Sequence, residues 1–310
     1  MKEGLVIRTT GSWYRVLAGS DVVDCRLRGN YRLRGNKQTN PVAVGDRVLF
    51  ELQNDGTGLI HEVQDRRNYI VRRATKLSKQ THVIAANIDL LCIVATLGLP
   101  RTSTGFIDRL LVTAEAYHIP AAILFNKNDL LVYDELQALQ DELSGMYRAI
   151  GYPVLEVSAL TGDGVDKVKE LINGKTVLFS GHSGVGKSAL LNAISPGLGL
   201  KVGHLSDWSL KGTHTTTFAE IHPVLLNTEH LTLNTYLIDT PGIKEFGMVD
   251  FTAQELSHFF PEMRALLHDC RFANCTHRHE PGCAVMTAVD DGRISAERYR
   301  NYLNILDDIK

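Results

Sequence analysis

The sequence predicts a chain in three parts: a small all-β barrel, a mostly parallel sheet wrapped by helices, and a short helical segment gathered on cysteines. Three observations predict it. The first seventy-odd residues alternate short apolar runs with turn residues, and from about residue 81 the pattern becomes strand–helix alternation. Three of the five cysteines then crowd into positions 270–283. A length of 310 residues with 44% apolar and 22% charged side chains leaves room for two or three packed cores and excludes wholesale disorder. Met1 to Arg8 holds no apolar signal core, and the greasy stretch from Leu90 to Leu99 is about half of a membrane span. So few cysteines in so long a chain do not make a disulfide scaffold. The expectation is a soluble, cytoplasmic protein with no membrane contact, and a monomer, because no heptad seam appears.

In the first part, Leu5-Val6-Ile7, Trp13 to Leu17, Val22 to Leu27 and Arg47 to Leu52 read as strands between Gly11, Gly19, Gly29, Gly35, Gly45 and Asn54-Asp55-Gly56. Several short strands in so few residues imply an OB-fold barrel. The segment from Arg28 to Lys37 is a basic loop around Tyr31, and Arg66, Arg67, Arg72, Arg73, Lys76 and Lys79 form a second basic run leading toward a linker. Residues 1–80 hold 15 Lys and Arg against 8 Asp and Glu, a balance of +7, whereas residues 81–250 balance at −7. A basic module joined to an acidic one is expected to face a polyanion, and basic loops on small barrels suit nucleic acid.

In the second part, Ile88 to Ala95 and Ala121 to Phe125 are apolar runs of strand length, as strands buried on both faces require. Helical patterns over about 106–117 and 133–150 alternate with them, followed by a strand at 154–157, helical spacing at Val165, Val168 and Ile172, and a strand at 176–179. The strongest motif sits after that last strand: Gly181-His182-Ser183-Gly184-Val185-Gly186-Lys187-Ser188, a complete G-x-x-x-x-G-K-S that opens a helix. Its glycines let backbone N–H groups wrap phosphate oxygens at a helix N-terminus. Lys187 is expected to reach the β- and γ-phosphates and the Ser188 hydroxyl to ligate Mg²⁺.

That loop fixes a nucleoside triphosphate but not its base. Asn126-Lys127-Asn128-Asp129 fixes the base, because a carboxylate at Asp129 accepts from guanine N1–H and the 2-amino group, donors that adenine lacks on that edge. Ser158-Ala159-Leu160 matches the short loop behind the guanine oxygen. An ATP-dependent enzyme conflicts with Asp129. Asp239-Thr240-Pro241-Gly242 follows an apolar strand end, with Asp239 expected to hold Mg²⁺ through water and the Gly242 N–H to meet the γ-phosphate. Lys211 to Thr217 supplies a Thr-rich first switch. Thr215 and its neighbours compete there for the contact with Mg²⁺ and γ-phosphate.

The motif order is permuted. A Ras-like chain runs phosphate loop, switch threonine, D-x-x-G, N-K-x-D, S-A-x; here the last two come first, at 126–129 and 158–160. The second switch therefore feeds straight into the C-terminal segment. That segment carries Cys270, Cys275, His277 and Cys283, four soft ligands that suggest one structural Zn²⁺. His279 competes with His277 on spacing, and disulfide pairing is the alternative for the cysteines. Cys25 and Cys92 lie in strand patterns and read as core.

With these residues in place the chain resembles the circularly permuted ribosome small-subunit-dependent GTPase A family, RsgA or YjeQ, along its whole length. The resemblance implies an OB-fold RNA-binding domain over 1–75, a circularly permuted P-loop GTPase domain over 81–248 and an α-helical zinc-binding domain over 249–310. It implies His277 rather than His279 as the zinc ligand. It further implies a factor of late small-subunit maturation that binds the small ribosomal subunit and its rRNA and whose slow GTP hydrolysis that subunit stimulates. A nucleotide-gated RNA-binding scaffold with hydrolysis as its release timer is the competing reading. After D-x-x-G the chain has Ile243 where Ras carries a water-positioning glutamine (Ras being the reference case for that role), so low basal turnover is expected. Within the part that resembles the switch, His214 is the residue expected to orient the water.

Overall fold

A computed structural model describes residues 1–29, 41–73, 81–202, 219–227, 232–239 and 251–309. The basic loop from residue 30, Lys76 and Lys79, the switch with His214 and Thr215, and Gly242 and Ile243 lie outside the described residues.

Five strands close the N-terminal barrel: β1 (Lys2–Thr10), β2 (Trp13–Ala18), β3 (Asp21–Leu27), β4 (Arg47–Leu52) and β5 (Gly58–Val63). The ring runs β1-β2-β3-β5-β4 and back to β1, antiparallel except for the parallel β3–β5 pair. This is the OB-fold expected from the strand spacing. Alternate side chains point inward to a core of Val6, Tyr14, Val16, Cys25, Val48, Phe50 and Ile60. The interior is tight enough to require glycine at position 58, where a Cβ would lie 2.4 Å from Cys25 Sγ. Burial pushes the Cys25 thiol up to about 12, consistent with its reading as a core residue.

Two arginines of the second basic run, Arg66 and Arg67, pair with carboxylates of the fold. Arg66 forks onto the fully buried Asp46 with contacts of 2.7 and 2.8 Å, and Asp46 also accepts from the Ala43 N–H at 2.7 Å. Arg67 pairs with Asp89 at 2.6 Å. Around the expected linker the chain forms a separate antiparallel ribbon, β6 (Tyr69–Arg73) with β7 (Thr81–Ala86), docked by a bridge between Val44 and Ala85.

The central sheet contains β8 (Leu90–Ala95), β9 (Ala121–Phe125), β10 (Val154–Glu156), β11 (Thr176–Ser180), β12 (Glu220–Asn227) and β13 (Thr232–Asp239). Its order is β10-β9-β8-β11-β13-β12, parallel except for β12. Counted from β11 as first, the order is 6-5-4-1-3-2, the sheet of an unpermuted chain cut open between its third and fourth strands. Helices α1 (Thr104–Ala116) and α2 (Asp134–Ile150) cover one face, against Leu91, Ile93, Ala95, Ile123 and Leu178. Helices α3 (Val165–Ile172) and α4 (Lys187–Ile194) cover the other, against Leu90, Cys92, Val94, Leu124 and Phe179. Period-two alternation with both faces apolar explains why these strands read as continuous hydrophobic runs. Chain direction changes face between β8 and β11, which puts the topological switch point, and the crevice it opens, at their carboxyl ends.

The barrel and the central sheet are one sheet. β1 bulges between Val6 and Arg8 and pairs antiparallel with β12 at Arg8 and Glu220, where the side chains also meet at 3.6 Å. The C-terminal segment folds into short α5 (Pro261–Arg264), α6 (Ala284–Asp290) and α7 (Ala296–Asp308) around Leu256, Phe260, Met263, Tyr302 and Ile305. Val112 of α1 belongs to that same cluster, so the tail packs onto the central domain rather than standing apart.

Candidate nucleotide site and cysteine–histidine centre

The loops after β8, β9, β10 and β11 all emerge at one edge of the sheet, and three of them carry the expected motifs. Asn126, which is buried, ties these three together. Its amide N–H donates to the Val185 carbonyl of the phosphate loop at 2.8 Å, and its carbonyl accepts from the Ala159 N–H at 3.1 Å. The Ser158 hydroxyl donates to Asp129 Oδ1 at 2.5 Å and accepts from the Thr161 N–H at 3.1 Å. Asn128 is held from behind, its side-chain oxygen accepting from Gln140 at 2.7 Å. Asp129 is thus presented on a braced loop.

The phosphate loop is shaped by backbone that L side chains rarely adopt. Gly184 and Gly186 sit at φ +85° and +90°, and a Cβ on Gly186 would come within 2.5 Å of the Asn126 amide nitrogen. Ser183 and Val185 complete the turn, and Lys187 and Ser188 open α4. Lys187 Nζ curls over the loop and donates to the carbonyls of Gly181 at 2.5 Å and His182 at 3.0 Å. Lys127, itself at φ +65°, donates to the Leu99 carbonyl at 3.0 Å and so ties the base loop to the loop after β8. Burial lowers the pKa of both lysines, opposed by Asp239 for Lys187 and by Asp129 for Lys127. Two cations whose charge burial disfavours gain from an anion brought to them. Asp239 ends β13 opposite Phe179, on the strand beside the phosphate loop. Sequence reasoning placed the motif residues but not Phe106, whose ring stacks on the His182 imidazole with centroids 3.6 Å apart. No sequence pattern carries that contact.

In the tail, Cys270, Cys275, His277 and Cys283 converge, with one donor atom from each within 4.8 Å of the others. His277 Nδ1 faces Cys283 Sγ at 3.3 Å and Cys270 Sγ at 3.7 Å. His279 is exposed and outside this cluster, so geometry separates two residues that spacing left open. The cysteines are free thiols rather than a disulfide. Glu280 organises the turn: its carboxylate accepts from the Thr276 hydroxyl at 2.6 Å and from the Thr276, Arg278 and His279 N–H groups at 2.8, 2.8 and 3.1 Å, and against its burial these bonds hold the carboxyl well below the usual range. Tyr299 and Tyr302 donate to the carbonyls of His277 and Thr276 at 2.6 and 2.8 Å. Cys283 caps α6, accepting from the Met286 N–H at 3.4 Å; burial raises its pKa, and that N–H opposes the rise.

A permuted 6-5-4-1-3-2 sheet with a phosphate loop and a base loop at its carboxyl edge defines a circularly permuted P-loop GTPase. Comparison with known proteins gives the family. The RsgA GTPase profile matches residues 63–249 and the RsgA N-terminal domain profile residues 3–60. The chain is 52% identical to the small ribosomal subunit biogenesis GTPase RsgA of Bacteroides fragilis, over 99% of this chain and 96% of that one. Among solved structures it is similar to YjeQ from Thermotoga maritima, at TM-score 0.77 and 34% identity over 99% of this chain and 98% of that one. It is also similar to YloQ, described as a circularly permuted GTPase, at TM-score 0.74 and 31% identity over 100% and 95% of the two chains. The chain belongs to the RsgA GTPase family, and its activity is GTP hydrolysis.

Proposed function

We propose that this GTPase serves the maturation of the small ribosomal subunit, as the name of its Bacteroides relative suggests, and that it binds the subunit and its rRNA and is stimulated by it. The single observation that carries the nucleotide half of the reading is the Asn126 junction, which joins the base loop, the Ser158 loop and the phosphate loop. In this reading Asp129 accepts from the guanine edge, and the Ser158–Ala159 backbone backs its oxygen. N–H groups of Gly181 to Ser188 cradle the phosphates, and Lys187 exchanges its loop carbonyls for the β- and γ-oxygens. Ser188 and Asp239 hold Mg²⁺, which neutralises phosphate charge; the field of Asp239 at Lys187 supports their sharing one site. Thr215 and Gly242 meet the γ-phosphate, and His214 orients the attacking water in place of a glutamine.

Zinc fits the tail centre. Bond lengths of about 2.3 Å to sulfur and 2.0–2.1 Å to nitrogen give a tetrahedron with N···S edges of about 3.5 Å, against 3.3 and 3.7 Å here. Cys270, Cys275, His277 and Cys283 would hold it as a closed structural site. The domain division proposed is 1–75 for the RNA-binding barrel, 81–248 for the GTPase and 249–310 for the zinc domain, acting as a cytoplasmic monomer. Among the described residues no helix is long and apolar enough to cross a membrane.

The deciding experiment is GTP turnover with and without purified small subunits, with ATP as control. Stimulation by small subunits and specific to GTP is the expected result. Tight GTP binding without stimulation would remove the ribosome from the reading and leave a GTPase with another activator.

A further inference from the structure

We propose that the first turns of α1 are a strut through which the phosphate loop and the C-terminal domain sense each other, with Phe106 and Asp108 as positioning residues on its two sides. This rests on the nucleotide reading of the phosphate loop given above.

On one side, the Phe106 ring lies stacked on His182 at 3.6 Å and 28° between planes. His182 also supplies one of the two carbonyls on which Lys187 rests. A phosphate group that draws Lys187 away therefore strips the His182 carbonyl of its donor and moves the residue against which Phe106 packs. The loop leading into α1 is itself closed, Thr102 N–H donating to the Thr96 carbonyl at 2.8 Å, and is tied to the base loop through Lys127 and Leu99. The first turn of α1 thus touches the phosphate loop, and the loop leading into it touches the base loop.

On the other side, two residues further on, Asp108 is fully buried and accepts from three donors: Arg298 Nη1 at 2.6 Å, Asn301 Nδ2 at 2.7 Å and the Tyr147 hydroxyl at 2.9 Å. Arg298, 1% exposed, also forks onto Glu262 at 2.8 and 3.1 Å, so it holds α7, α5 and α1 at one point. Thr104 donates to Glu297 at 2.6 Å and accepts from Asn301 at 3.1 Å. Gly105 allows this approach, since a Cβ there would meet Asn301 Oδ1 at 3.3 Å. Arg109 pairs with Asp308 at the far end of α7. A buried ion network is either made or broken, because a half-broken one strands a charge away from water. It therefore transmits a shift of α1 rather than absorbing it. The route differs from the second switch, which reaches the tail along the chain.

The test is hydrogen exchange read by mass spectrometry on the full chain, with and without saturating GDP. The wild type is expected to gain protection in the phosphate loop and, with it, in α7 over residues 296–308. Phe106→Ala should keep the first at saturating GDP and lose at least two-thirds of the second, and Phe106→Tyr, which keeps a ring to stack, should restore it. By reciprocity, Arg298→Lys should weaken GDP binding at least threefold in a fluorescent-GDP titration. Protection of the wild-type phosphate loop without protection of α7, or α7 protection that survives Phe106→Ala, overturns the strut. Absence of protection in the wild-type phosphate loop overturns the nucleotide reading and the strut together.

Discussion

Replacing Asn126 by Ala isolates the junction on which the nucleotide site is built. The side chain is buried and makes two hydrogen bonds, to Val185 at 2.8 Å and from Ala159 at 3.1 Å. Truncation leaves a carbonyl and an N–H without their partner. Each bond contributes roughly 1–1.5 kcal/mol, so ~2–3 kcal/mol of loop order is lost. Val185 buries its side chain in the core and Ala159 packs against it, but the two lost bonds tie loop backbone only, so the loss falls on preorganisation more than on global stability. Nucleotide binding must then supply that ordering itself, and ~2–3 kcal/mol corresponds to about 30- to 150-fold in Kd. A fluorescent-GDP titration reads it directly, and a thermal melt without nucleotide should move by only a few degrees. Asn126→Asp keeps the acceptor for Ala159 but removes the donor to Val185, and should not recover the wild-type Kd. A Kd for Asn126→Ala within threefold of wild type would refute the reasoning, since the three loops would then hold their geometry without the junction.

Asp129→Asn should weaken GTP binding by roughly a hundredfold and shift preference toward xanthosine nucleotides, measured by competition; unchanged base preference would remove Asp129 from base reading. Purified protein should carry about one zinc per chain by elemental analysis, and Cys283→Ser should lose most of it and lower the melting temperature. Arg32, Arg34 and Lys37 replaced together by Ala should weaken ribosome association and reduce its salt slope by about two to three, in a binding titration across ionic strength. Glu280 has a carboxyl depressed in the fold, so its contribution to stability is present above its ordinary pKa and is lost as pH falls through the depressed value. Glu280→Gln should therefore lower the melting temperature at neutral pH and flatten its acid dependence, and parallel melting curves for the two proteins would exclude that role.

What could be read in advance follows from how local each signal is. The phosphate loop and Asn126 to Asp129 were legible because backbone wrapping and base reading each demand fixed residue types at fixed short spacing. Both flanks, β11 and α4, fell where those motifs require. The helix bounds shifted by only a residue or two, with Ser103 and Gly151 setting ends that periodicity leaves soft. Gly58–Val63 escaped as a strand because its identity comes from closing the barrel beside Cys25, a contact 33 positions away. The Asp108–Arg298 pair spans 190 positions and sits inside two helices, so nothing local marks either charge as buried. Arg66 carried a charge that suggested RNA and spends it on Asp46. In each of these cases the partner, not the residue, decides the role.

The pairing of β1 with β12 fixes a distance. From the edge strand β10 to β1 there are six strand spacings at about 4.8 Å, or roughly 29 Å measured across the sheet. A barrel on a flexible tether would sample a sphere of positions and accept partners of many shapes. Here the barrel rides on the outermost strand of the nucleotide domain like the fixed jaw of a caliper. A partner must offer its two contact points at the matching separation and at the angle the sheet twist dictates, so shape selection is built in before any side chain touches it.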